Sequence, residues 1–224
     1  MKKTLMPLLF TVLLATVAAA MLTPAASHAW TSARTGQKNF ERAWSAFMFK
    51  RTEPAMDYFV KAADSFGAGL AEEPPSRTTM FPSNLTMAGM SLYYAGRHQE
   101  VAAPMEMVMT KDDRVWEAPF FTALACARLG DEAGTIDHLT LFLKTSPAQP
   151  ILANAVIHQL EALKQGQGSL ADTATTLEQA AFDQFDNNIT FIGVNASNPQ
   201  DACDGNYWWR YSRSPCPGRN KYTY

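Results

Sequence analysis

The stretch LTMAGMSLYYAGRHQEVAAPMEMVM, Leu85 to Met109, decides the fold. Leu85, Ala88, Gly89, Leu92 and Tyr93 fall at i, i+3, i+4, i+7 and i+8, which puts apolar side chains on one face of an α-helix. Ser83 is placed to cap the start of that helix and Gly96 to end it. Beyond the turn at Gly96-Arg97, the set His98, Val101, Ala102, Met105, Val108 and Met109 repeats the spacing, so a helical hairpin is expected. Residues 120–147, FFTALACARLGDEAGTIDHLTLFLKTSP, repeat the whole arrangement. Pro119 suits a first helical turn, Phe120, Ala123, Leu124 and Ala127 form a stripe, Gly130 stops the helix and Asp131 caps the next, which carries Ile136, Leu139 and Leu143. Laid over one another, the hairpins pair Gly89 with Ala123, Leu92 with Cys126, Gly96 with Gly130, Met105 with Leu139 and Val108 with Phe142, at a constant offset of 34 residues.

The pattern extends outward on both sides. A weaker copy runs from Asn39 to Phe66, with Ala43, Ala55, Phe59 and Ala62 in matching roles, and a Pro- and Thr-rich insertion around Glu72 to Pro82 follows it. Downstream, Pro150 opens a helix carrying Leu152, Val156, Leu160 and Leu163 that Gly166 and Gly168 end. A last helix holds Leu170, Ala174, Leu177, Ala181 and Phe185 in register. This pair is expected to cap the apolar end of the stack, which repeat arrays require. Ile189 to Val194 has the composition of a short strand.

On these residues the chain resembles the tetratricopeptide repeat family over roughly residues 39–147, with small residues at Gly89 and Ala123, inter-helix glycines at Gly96 and Gly130, and a closing Pro147. It departs from the family pattern where Thr135 stands for a small Ala at the helix crossing, Asp113 for a closing Pro, and Pro104 inside a second helix, where it removes a backbone donor. The expected fold is therefore all-α: stacked antiparallel helical hairpins, a tetratricopeptide-like solenoid over residues 30–187. An irregular C-terminal tail, 188–224, would follow.

The N-terminus reads as a signal peptide over residues 1–29. Lys2 and Lys3 precede an almost wholly apolar run from Leu5 to Leu22, Thr23 and Pro24 break it, and Ser27-His28-Ala29 supplies small residues for cleavage after Ala29. An uncleaved anchor is the competing reading of the same run. Cleavage leaves about 195 residues, enough for one domain. It also removes two lysines and no acids, which moves the net charge from −2 to about −4 and argues against nucleic acid as a partner. The expected location is periplasmic or secreted, with no stable membrane span after cleavage. There Cys203 and Cys216 are the natural disulfide pair and Cys126 the odd thiol, expected to be buried.

In the family that the hairpins resemble, the first helix of each pair lines a concave face where extended peptides lie. The resemblance implies Phe40, Trp44 and Phe47, then Thr86, Met90, Tyr93 and Tyr94, then Phe120, Leu124 and Arg128 as candidates for that wall. The alternative for the same side chains is core, with the terminal helices filling the groove. The tail offers Tyr207, Trp208, Trp209, Arg210, Tyr211 and Arg213, followed by Arg219 and Lys221. Such planar rings and guanidinium forks suit glycans or carboxylates, unless the indoles merely dock on the helical body. His98, His138 and His158 stand alone on separate helices, so no metal or cofactor is expected. No nucleophile elbow, phosphate loop or metal motif brings catalytic groups together, and no enzyme activity is expected. The function expected is an interaction or scaffold module for a protein or peptide of the cell envelope. The second reading is a glycan- or cell-wall-binding protein acting through the tail.

Overall fold

A computed structural model describes residues 25–145 and 149–190, with side chains over 32–145 and 149–187. Within them the chain forms eight α-helices and no strand: α1 (Ala25–Met48), α2 (Thr52–Leu70), α3 (Pro82–Tyr94), α4 (His98–Lys111), α5 (Glu117–Leu129), α6 (Glu132–Lys144), α7 (Pro150–Lys164) and α8 (Leu170–Thr190). None is long and apolar enough to cross a membrane. Residues 1–24, which hold most of the expected leader, lie outside the described residues, as does the Cys203–Cys216 pair. The expected cleavage point after Ala29 falls in the opening turns of α1, ahead of the buried Ala33.

One backbone device closes the first helix of each pair. At Lys50, Gly96, Gly130 and Gly166 the chain turns left-handed, with φ of 57°, 75°, 81° and 67°. The next N–H then donates to a carbonyl in the last turn of the helix: Arg51 to Ala46, Arg97 to Leu92, Asp131 to Cys126 and Gln167 to Ala162, each at 2.9 Å. This is the Schellman closure, which satisfies carbonyls the helix would otherwise leave bare. Helix starts are less uniform. Asp131 caps α6 by accepting from the Gly134 N–H at 2.9 Å. Ser83 does not cap α3; Phe81 holds the extended cap position and Pro82 takes the first helical place, where its missing donor costs nothing.

Each helix packs on the next along the chain, and α1 touches α3 while α3 touches α5, so these three form a row. Close approach within the pairs depends on small residues. A Cβ on Gly89 would stand 2.5 Å from Met105 Cε, and one on Gly36 would stand 2.9 Å from the Phe66 ring. Thr135 is buried at the α5–α6 crossing and directs its hydroxyl back to the Asp131 carbonyl at 2.6 Å, as Thr122 does to Ala118 and Ser91 to Met87. Helix α4 continues through the buried Pro104.

The last pair does more than cover an end. Helix α7 packs on α6, but α8 doubles back across the row and touches α5 and α1. Its stripe of Ala174, Leu177, Ala181 and Phe185 is buried, and the Phe185 ring meets Trp44 edge-on at 4.7 Å and lies 6.1 Å from Trp116. Gln184 of α8 accepts from the Ile151 N–H at 2.8 Å, and so satisfies a bare donor at the start of α7. The physical reason is area: the row of first helices presents aromatic surface that water penalises, and α8 is the element with a matching stripe. Because α8 runs through Thr190, Ile189 is helical, which corrects the expected strand; residues 191–194 lie outside the described residues.

Candidate binding cleft

Where α8 crosses the ends of α1 and α3 it leaves a cleft of about 650 Å³. Its walls are Phe47 from α1, Met56 from α2, Tyr94 from α3 and Phe182 from α8. The rings hold one another in tilted and edge contacts, Phe47 to Tyr94 at 5.0 Å and Phe47 to Phe182 at 5.4 Å, while Tyr94 stacks on the buried Phe59 at 4.6 Å. Aromatic walls fixed in this way present rigid apolar area with little freedom left to lose on binding.

The polar side of the cleft is organised by Glu178 of α8. Its carboxylate accepts from the Tyr93 hydroxyl and from Arg128 Nη2, the latter at 2.8 Å to each oxygen. Burial and the neighbouring Glu178 carboxylate push the Tyr93 phenol well above its ordinary range, and burial does the same to Tyr94, so both rings stay neutral. His98, 5.2 Å from the Tyr93 ring, is drawn below the usual imidazole value by burial and by the Arg128 charge. On the opposite rim the Lys50 ammonium lies 5.6 Å from the centre of the Phe182 ring, and no ion pair to it exists among the described residues.

The residues expected to line an open wall divide in two. Phe40, Trp44, Met90 and Tyr93 are core, at 1%, 2%, 0% and 3% exposure, and Thr86, Phe120 and Leu124 are buried with them. Several neighbours cover them: Phe40 meets Phe59 of α2, Phe120 meets Phe142 of α6, and α8 brings Phe185 onto Trp44 and Glu178 onto Tyr93. Phe47 and Tyr94 do line the remaining cleft, Tyr93 reaches it from the core, and Arg128 stands beside it with its charge engaged by Glu178. The tail candidates Tyr207, Trp208, Trp209, Arg210, Tyr211 and Arg213 lie outside the described residues.

Sequence reasoning missed Met56, Glu178, Phe182 and Lys50 of the cleft. Glu178 and Phe182 carried no signal, being one turn apart on a helix read as a cap. Lys50 left none either, since only the structure shows that it stands where the other three helix pairs have glycine. Among the described residues no group of three or more His, Cys, Asp or Glu side chains is placed to hold a metal ion. Cys126 is half-buried rather than fully enclosed, and its thiol is pushed up to about 11 by burial and by Asp131, which leaves it a poor nucleophile. No family model, curated protein or solved structure matches this chain.

Proposed function

We propose that this chain is an exported, tetratricopeptide-like interaction module that binds a protein or peptide of the cell envelope, with the cleft beside α8 as its contact site. The observation that carries the reading is the aromatic cleft itself: beside α8, Phe47, Met56, Tyr94 and Phe182 keep apolar surface open to solvent. Repetition supports the solenoid part, since four helix pairs share one turn geometry and α1, α3 and α5 pack in a row. Export is supported by Lys2, Lys3, the apolar run to Leu22 and the small residues before Trp30. N-terminal sequencing of protein recovered outside the cytosol tests it, with Trp30 as the expected first residue.

Capture from envelope extract tests the binding. The baits are the intact protein, a form ending at residue 190, and Phe182→Asp protein whose circular dichroism matches the parent. A protein partner held by the first two baits and lost from the third supports the cleft. Equal capture by all three removes it. Saccharide capture that disappears with residues 191–224 transfers the function to the aromatic, basic tail.

A further inference from the structure

We propose that the cleft is a binding site for a small amphipathic acid, an apolar and partly aromatic body bearing one carboxylate, with Lys50 as the residue that recognises the acid group. The inference deepens the reading of this cleft as a binding site and is independent of which envelope protein is the partner.

The argument starts from the backbone. Left-handed turns favour glycine because a Cβ crowds the following carbonyl, and glycine occupies three of the four turns that end a first helix. Space for the side chain is not what demands glycine there, since a Cβ at Gly96, Gly130 or Gly166 would meet nothing within 4 Å. The fourth turn therefore holds Lys50 against the local preference, at φ 57°. What the lysine adds is a cation on the rim of the cleft, held over the face of Phe182. A strained residue that contributes a group to a cleft is the pattern expected where the group has a task.

Charge and shape then define the ligand. Of the ionised groups around the cleft, Glu178 is already matched by Arg128 and bonded to Tyr93, whereas Lys50 has no carboxylate partner among the described residues. His98 adds no positive charge near neutral pH, because burial and Arg128 lower its pKa. The site thus carries one unmatched positive charge above apolar walls, and a cleft of about 650 Å³ falls within the range of small-molecule sites. A flat apolar body can lie against the wall that Phe47, Tyr94 and Phe182 form together, Met56 adapts to its outline, and a carboxylate at its end reaches the ammonium.

Calorimetric titration of the full chain with naphthylacetate and with naphthylethanol, its uncharged counterpart, tests the proposal. The Met56 methyl signal in a ¹³C-methionine spectrum reports where each binds. The expected result is a preference for the acid of roughly fivefold to tenfold at low salt, weakening as ionic strength rises, with the Met56 methyl shifted by both probes. Lys50→Arg should keep the preference. Lys50→Gly should abolish it while remaining at least as resistant to thermal unfolding as the parent, so that loss of binding is not loss of fold. Equal affinity for acid and alcohol, a preference that survives Lys50→Gly, or binding that leaves the Met56 methyl unmoved would each overturn the assignment. Absence of any binding overturns it as well, while capture of a protein partner through Phe182 would still stand.

Discussion

Glu178 and Arg128 form an ion pair at 2.8 Å between helices whose residues are 50 apart in the chain, and the same carboxylate takes the Tyr93 hydroxyl of a third helix. One acidic side chain thereby ties α8 to both α3 and α5. At 28% and 31% side-chain exposure the pair is shielded enough to count, yet wet enough to escape the full cost of burying charge. Glu178→Ala should lower stability by about 1–3 kcal/mol, read as a lower urea midpoint with an unchanged slope. Arg128→Ala should cost less in that background than alone, because the two lose the same interaction.

Lys50→Gly should raise stability by about 1 kcal/mol, since it removes a side chain from a left-handed turn. The lost contact between the ammonium and Phe182 is exposed and weighs against this by about 0.5 kcal/mol. Gly130→Ala should move the other way by about 1 kcal/mol. Thermal melts of the two variants beside the parent give both signs in one experiment.

The offset between hairpins makes a packing prediction. Gly89 and Met105 occupy the places of Ala123 and Leu139 in the next pair, and a Cβ at Gly89 would also lie 2.8 Å from Met105 Cγ, too near the root of the side chain to swing clear. Gly89→Ala should therefore destabilise by about 1–2 kcal/mol despite the better helix former. Gly89→Ala should cost less in a Met105→Ala background, where the clashing γ, δ and ε atoms are gone, as read in urea unfolding.

Stability should fall as pH drops from about 7 to about 5. His98 and His138 are both held below the ordinary imidazole value, chiefly by burial, and His138 Nδ1 has no hydrogen-bond partner among the described residues. The folded state then binds fewer protons than the unfolded one across this window. The stability they contribute is present above the unfolded pKa of about 6.5 and lost as pH falls through the lower folded values. Glu100 and Asp112 are held low by Arg97 and Arg114, so their contributions disappear only in more acid solution. Urea midpoints at several pH values should flatten over the window in a His98→Gln, His138→Gln double variant.

Much of this architecture is legible residue by residue. The stripe Leu85, Ala88, Leu92 and the stops at Gly96, Gly130 and Gly166 locate helices closely, because both signals are local: one is the repeat of the helix, the other a backbone angle that only glycine adopts without strain. The turn at Lys50 escapes that rule, since lysine announces no left-handed angle. Ser83 misleads for a related reason, as a cap residue and a proline compete for one helix start and Pro82 prevails.

By itself, then, the order of residues determined the helices of the described residues, their pairing into neighbours and the face that each helix hides. Tertiary structure alone decided what each hidden face meets. An apolar stripe on α8 states that Phe185 and Leu177 must leave water, but not that Trp44 and Trp116 receive Phe185. Periodicity is a property of neighbours along a helix, whereas the meeting of Tyr93 with Glu178 spans 85 residues. That meeting, and the cleft left beside it, depend on which of several apolar surfaces is nearest once the row of helices has formed.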